Sequence, residues 1–287
     1  MRIIEWIAVC VFAVPLLVGA GALLAFGKRK RTHGPVGILL HSITDRHALH
    51  CSYYSPSRFE SLIARLSGEG FTFATVGTIA SLTENESARC IAMTFDDGFA
   101  NFFTNALPIC EHHGVAVTVF CVAGFLGKSS SWDSLPKQSH LTSSQIRQIS
   151  SLGHEIGSHT LTHANLTLLS DKDLATELSV SKKILEDITG TSVTSLSFPF
   201  GRVNRRVWEA AQRAGFVAAT SYISRGALFP DIMPLWGAYS YDSVQDVIDR
   251  AVRQPAWSHA VARGRLMPHF AKGSPLWKFR NSYSLAR

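Results

Sequence analysis

Strand-length apolar runs alternate with segments of helical period through most of this chain, and that rhythm limits the fold more than any other feature of the sequence. Residues 37–40 are short and apolar, and Ser57 then opens a stretch with Phe59, Leu62, Ile63 and Leu66 on one helical face, closed by Gly70. The pattern repeats: residues 71–76 and 90–95 read as strands, residues 101–113 as a helix ended by Gly114, and residues 115–122 as a further strand. Thr142 and Gln145 have the spacing of a capping box and open a helix that Gly153 closes. Residues 154–157 form a brief strand, Ser170 starts a long helix stopped by Gly190, residues 193–198 are another strand, and residues 204–214 another helix before Gly215. Such alternation predicts parallel strands joined by helices, as an α/β barrel or an open doubly wound sheet. In both, the ligand site lies at the carboxyl ends of the strands.

The 287 residues, 46% of them hydrophobic, suffice for one large domain or two small ones. Ahead of the alternating region, residues 7–26 are uncharged over about the length that crosses a bilayer as a helix. The run is long for a secretory signal, and its basic cluster follows it instead of preceding it, so an uncleaved anchor spanning residues 1–31 with its flank is expected. Arg2 and Glu5 offset each other before the run, whereas Lys28, Arg29, Lys30 and Arg31 follow it. The positive-inside rule then places the bulk of a single-pass membrane protein on the cytoplasmic side.

Cys51, Cys90, Cys110 and Cys121 lack the close spacing of a zinc knuckle or redox motif and read as small buried hydrophobes. The net charge of +7 is concentrated at the C-terminus: from position 247 onward eight basic residues meet the single acid Asp249, with Trp257, Trp277 and Phe279 among them. A basic extension, residues 233–287, partly packed on the domain and suited to anionic headgroups, is expected. No recognition motif accompanies the charge, which argues against nucleic acid as a partner.

Two short stretches carry chemistry. Asp96 and Asp97 stand side by side at the end of the apolar strand 90–95, where desolvation and mutual repulsion penalise them both. His159 and His163 follow the brief strand at 154–157 and are four residues apart, a spacing that lets two nitrogens reach one ion from a helical turn or from a loop. Two neutral imidazoles and one carboxylate suit a divalent ion with positions left open for water and substrate. One aspartate is then neutralised by the ion and the other is left as a base, with Gly98 permitting the turn that brings both to one place. His33, His47, His50, His112, His113, His140, His154 and His259 have no such context and read as surface or core residues, and Phe99, Phe102 and Phe103 as packing. Trp132, in the polar loop 128–140, is placed as an aromatic platform for a sugar ring or as packing.

Taken in order, "TFDDG" at 94–98, "SHTLTH" at 158–163 and "SFPFG" at 197–201 resemble the three leading motifs of the polysaccharide deacetylases, and the resemblance extends from about residue 37 to 216. It implies a distorted (β/α) barrel over residues 32–232 and removal of an N-acetyl group from an amino sugar by metal-assisted hydrolysis, the partner being an N-acetylated glycan. By match of position it implies Asp96 as general base, Asp97, His159 and His163 as ligands of a divalent metal such as zinc, and Pro199, Phe200 and Gly201 as the substrate and oxyanion segment, with the Phe200 N–H as donor. The amine leaving group also needs a general acid. A late histidine serves in many relatives, for which "RLMPH" offers His269, whereas the layout closer to the poly-N-acetylglucosamine deacetylases ends a first strand in a histidine, here His41; His41 is the expected acid. Ser197 departs from the pattern, because many relatives place there an arginine directed at the base, and Arg202 or Arg205 are the available substitutes. The competing expectations are a catalytically silent carbohydrate-binding or assembly protein on the same fold, and a sugar deformylase.

Overall fold

A computed structural model describes residues 36–45, 52–130, 138–222, 229 and 231–253. The expected anchor, Trp132, His269 and the chain beyond residue 253 lie outside them. Among the described residues no helix is long and apolar enough to cross a membrane.

Among the described residues there are ten strands: β1 (Val36–Leu40), β2 (Ser42–Ile43), β3 (Tyr53–Tyr54), β4 (Thr72–Phe73), β5 (Cys90–Phe95), β6 (Thr118–Cys121), β7 (Glu155–Ser158), β8 (Ser195–Ser197), β9 (Ala218–Tyr222) and β10 (Ile232–Gly237). The pairings between these strands are all parallel, and because β1 bonds both β10 and β5, the strands β1, β5, β6, β7, β8, β9 and β10 close into a barrel. The barrel is distorted at one seam. Beyond the edge of β5 taken by β1, β4 pairs with Cys90 and Ile91, and β6 pairs only with Thr94 and Phe95. The alternation of strands and helices thus resolves into a barrel, not an open sheet.

The helices that cover the barrel are α1 (Pro56–Gly68), α2 (Val76–Ser81), α3 (Glu84–Ser87), α4 (Leu107–His113), α5 (Ser143–Ser151), α6 (Asp171–Thr189), α7 (Arg205–Arg213) and α8 (Val244–Ile248). Their termini follow local chemistry. Thr142 and Gln145 make the expected capping box on α5, Ser170 caps α6 by accepting the Asp173 N–H, and Gly114 and Gly190 end α4 and α6 in the left-handed conformation. The cap of α1 is Ser55, not Ser57: Ser55 accepts the Arg58 N–H and Pro56 takes the first helical position, where a missing N–H costs nothing. The expected strand 71–76 is reduced to Thr72–Phe73, because Thr75 caps α2 and Val76 begins it.

Each barrel strand divides its side chains by parity. Ile91, Met93 and Phe95 join the large core against the helices, with Phe59, Leu62 and Ile63 of α1, whereas Cys90 and Ala92 pack with Phe120, Ala218 and, from α2, Val76 and Ile79. Burial on both faces is why β5 reads as an apolar run, with Thr94 its one polar member. Gly157 is on the inner parity of β7, where a Cβ would lie 2.4 Å from the Phe120 ring and 2.7 Å from Ser195 Oγ. Strand β10 closes the barrel between β9 and β1, so the boundary expected at 232 falls inside a barrel strand. The segment after it, through Ile248 and Ala251, packs into the same core.

Candidate active site

Counting along the inner parity of four strands leads to one place. In β5 the series 92, 94 ends on Asp96; in β7 the series 157 ends on His159; in β8 Ser195 is followed by Ser197; and His41 follows β1. Asp96 is tied to the end of β1 by its N–H to the Leu40 carbonyl, 3.0 Å, and His159 to the end of β6 by its N–H to the Cys121 carbonyl, 2.8 Å. Asp97 would face the outer helices if the strand continued. Instead its backbone is left-handed, φ 70°, as is that of Gly98, φ 64°, and the carboxyl swings back to the barrel mouth.

His163 arrives by a loop, not a helical turn. Thr160 and His163 have φ of 68° and 61°, the Thr160 N–H donates to Ser158 Oγ and the His163 N–H to Thr160 Oγ1. The loop is held from outside by a residue the motif does not contain. Glu177, buried on α6, accepts the N–H groups of Leu161 and Thr162 on Oε2, both at 2.9 Å, and the Thr162 hydroxyl on Oε1. The described non-glycine residues with positive φ are Asp97, Thr160, His163 and Phe200, all of them here. A left-handed backbone costs an L-residue about 1–2 kcal/mol, and strain concentrated at one mouth marks a site whose geometry outranks local stability.

The donors converge. Asp97 Oδ1 lies 3.2 Å from His163 Nε2 and 3.6 Å from His159 Nε2, and Asp96 Oδ2 lies 3.8 Å from His159 Nε2. His159 donates Nδ1–H to the Ser197 carbonyl at 2.9 Å, which turns the Nε2 lone pair toward Asp97. Burial, reinforced by His163, pushes the His159 pKa down to about 3, so the ring is neutral near pH 7, the form in which imidazole binds metals. Burial alone would raise the Asp97 pKa, but the imidazoles of His163, His41 and His159 outweigh it and hold this carboxyl well below the usual range. Asp96 goes the other way: burial first, then the Asp97 charge, raise it well above its ordinary value, against the Ser197 hydroxyl, which donates to Oδ2 at 2.8 Å.

A divalent cation fits this set. Asp97 Oδ1 is buried without a hydrogen-bond donor, and the three ligand atoms lie within 4.8 Å of one another. Ligands about 2.0–2.1 Å from a tetrahedral zinc are separated by about 3.4 Å, which the 3.2 and 3.6 Å spacings bracket. Phe200, φ 59°, lays its ring edge-on to His163 at 4.7 Å, between Pro199 and Gly201 at the end of β8.

Residues 83–219 match the family model described as polysaccharide deacetylase. The chain carries a polysaccharide deacetylase domain. YxkH of Bacillus subtilis is 27% identical over 182 residues, covering 62% of this chain and 61% of that protein. The peptidoglycan-N-acetylglucosamine deacetylase PgdA of Listeria monocytogenes is 29% identical over 132 residues, covering 46% of this chain and 26% of PgdA; the chain therefore spans less than two thirds of either relative. The Streptococcus pyogenes deacetylase PplD, solved in complex with acetate, shares the fold with a TM-score of 0.64 at 19% identity, covering 75% of this chain and 96% of that one.

The deacetylase domain brings together Asp96, Asp97, His159 and His163, with Phe200 against the last of these and His41 close enough to act on the charge of Asp97 and His159. Arg205 is turned away, paired with Glu209 at 2.8 Å. Where many deacetylases carry an arginine, this domain presents the Ser197 hydroxyl to Asp96, a neutral donor in place of a charged one. Glu177 was missed by motif reading. Its one sequence signal is its phase: it falls among Leu174, Leu178, Ser181 and Leu185 on the buried face of α6, where a carboxylate needs a reason.

Proposed function

We propose that the chain is a metal-dependent hydrolase that removes N-acetyl groups from an amino sugar in a polysaccharide, oligosaccharide or lipid-linked glycan. The observation that carries this reading is the convergence of one ligand atom each from Asp97, His159 and His163 with a second carboxylate, Asp96, beside them. A divalent cation held by Asp97, His159 and His163, zinc being the metal the residue set suits, supplies Lewis acidity toward the acetyl carbonyl and lowers the pKa of water. Asp96, pointed by the Ser197 hydroxyl, takes the proton of the attacking water as its oxygen bonds to the acetyl carbon. The Phe200 N–H, presented by its left-handed backbone, donates to the developing oxyanion. As the C–N bond breaks, His41 gives its proton to the sugar nitrogen, and acetate and the free amine leave.

The apolar run 7–26 and the basic residues 28–31 support a single-pass anchor with the domain on the cytoplasmic side, and the basic, aromatic-bearing C-terminal segment supports a second membrane contact. A cytoplasmic site favours a lipid-linked glycan over an exported polymer. A topology reporter fused after Arg287 that reads as external reverses this assignment.

Acetate release by the metal-loaded full chain from acetylated chitooligomers, beside Asp96→Asn, tests the activity. Loss of the base is expected to lower kcat by about 10²–10⁴ with metal content unchanged. Bound metal without turnover on any amino sugar points to a carbohydrate-binding protein instead, and release of formate without acetate to a deformylase.

A further inference from the structure

A second set of metal-type donors lies on the outside of the barrel. Glu60 projects from α1, and His112 and His113 from the last turn of α4; each offers one ligand atom, and the three atoms lie within 4.8 Å of one another. His113 Nε2 stands 3.5 Å from Glu60 Oε1, beyond the 2.7–3.2 Å of a hydrogen bond. That distance is close to the edge, about 3.4 Å, between two ligands of one tetrahedral zinc. The same spacing recurs at the barrel mouth, where Asp97 Oδ1 is 3.6 Å from His159 Nε2. His113 Nε2 is buried and finds no hydrogen-bond partner among the described residues, so a polar atom is held without the contact that would normally justify its burial.

The two imidazoles do not compete for one direction. Neighbouring helical residues are about 100° apart, and the rings of His112 and His113 meet edge to face, 5.0 Å between centroids and 85° between planes. Side-chain exposures of 24% for His113 and 51% for Glu60 leave a side open to water, as a three-ligand site requires. The C-terminal end of α4 adds partial negative charge where the cation would sit.

We propose that Glu60, His112 and His113 form a second divalent-cation site, of zinc type, that cross-braces α1 to α4 and is separate from the deacetylase centre. It stands or falls independently of the catalytic reading. The test is zinc and cobalt titration of the tag-free, chelator-stripped full chain, with bound metal counted per chain.

Wild type is expected to take two equivalents. His112→Ala/His113→Ala takes one and keeps its deacetylase activity, whereas Asp97→Ala/His159→Ala also takes one. Glu60→Gln, which keeps the shape of the side chain, weakens the outer site by about tenfold or more. Zinc raises the thermal midpoint of the Asp97→Ala/His159→Ala chain, and adding His113→Ala removes that rise. Two equivalents retained by the His112→Ala/His113→Ala chain, or none bound by Asp97→Ala/His159→Ala while its circular dichroism stays native, overturns the proposal.

Discussion

Side-chain parity, a property of single residues, decides which groups meet at the barrel mouth. Asp96 and Ser197 continue the inner series of β5 and β8, so their contact at 2.8 Å follows from counting by two, whereas Asp97 is out of phase and reaches the site only through its left-handed backbone. A titratable residue elsewhere in the fold gives a clean pH signature. His154, buried ahead of β7, donates Nε2–H to Glu111 at 3.0 Å and accepts the Val117 N–H on Nδ1 at 3.4 Å, a pair of bonds that only the neutral ring can make. Burial lowers its pKa from the ordinary 6.5, against the opposing pull of Glu111. Between the folded and unfolded values the unfolded chain therefore binds the additional proton, and stability falls as pH drops below 6.5 toward the folded pKa. Thermal melts at pH 7.5 and 5.5, with metal in excess, are expected to show a smaller loss for His154→Gln than for wild type, although His154→Gln is the less stable of the two at pH 7.5; equal losses rule His154 out as a contributor.

Helix α6 shows how an element outside the motifs sets their geometry. Its N-terminus is fixed by Ser170, its apolar stripe seats it on the barrel, and this places the Glu177 carboxylate under the loop that carries His163. Glu177→Ala leaves two half-buried N–H groups without their acceptor, at up to about 1–3 kcal/mol each, and frees a loop whose backbone is already strained. Metal affinity at the active site is expected to fall about 10–100-fold, with Glu177→Gln recovering most of it because one amide oxygen can still accept both N–H groups. A purely structural Glu177 would lower the melting temperature of Glu177→Ala and leave the metal dissociation constant of the folded protein as it was. Helices with strong termini, such as α5 and α6, were legible in the sequence because capping is local chemistry. The short helices α2 and α3 and the strands β9 and β10 were not. Their sequences carry weaker periodicity, and what makes Ile232–Gly237 a strand is the gap between β9 and β1 that it fills.

At the scale of the whole molecule the barrel is finished by its last described segment, and this is where motif reading was silent, since residues 83–219 already contain the matched family pattern. The metal set was legible because its residues lie next to strand ends in sequence. The closure was not, because β10 is placed by pairing with strands distant in sequence, and the turn leading out of it is tied by an ion pair between residues that no motif links. Arg250, buried beyond α8, donates to Asp242 through both terminal nitrogens, with Nη1 to Oδ1 at 2.8 Å, and gives Nη2–H to the Gly237 carbonyl at 2.9 Å at the end of β10. Asp242 in turn accepts the Tyr239 N–H at 3.0 Å, so the pair fixes the turn that leads out of the closing strand. Both side chains are removed from water, and taking away one leaves the other as an uncompensated buried charge, which costs about 3–5 kcal/mol. Arg250→Met is therefore expected to lower the denaturant-derived unfolding free energy by that amount. Asp242→Asn/Arg250→Met, with no charge left to bury, is expected to recover a substantial part of the loss. If Arg250→Met unfolds at the same denaturant concentration as the parent, the seam between β10 and β1 is held by strand pairing alone and the ion pair is dispensable.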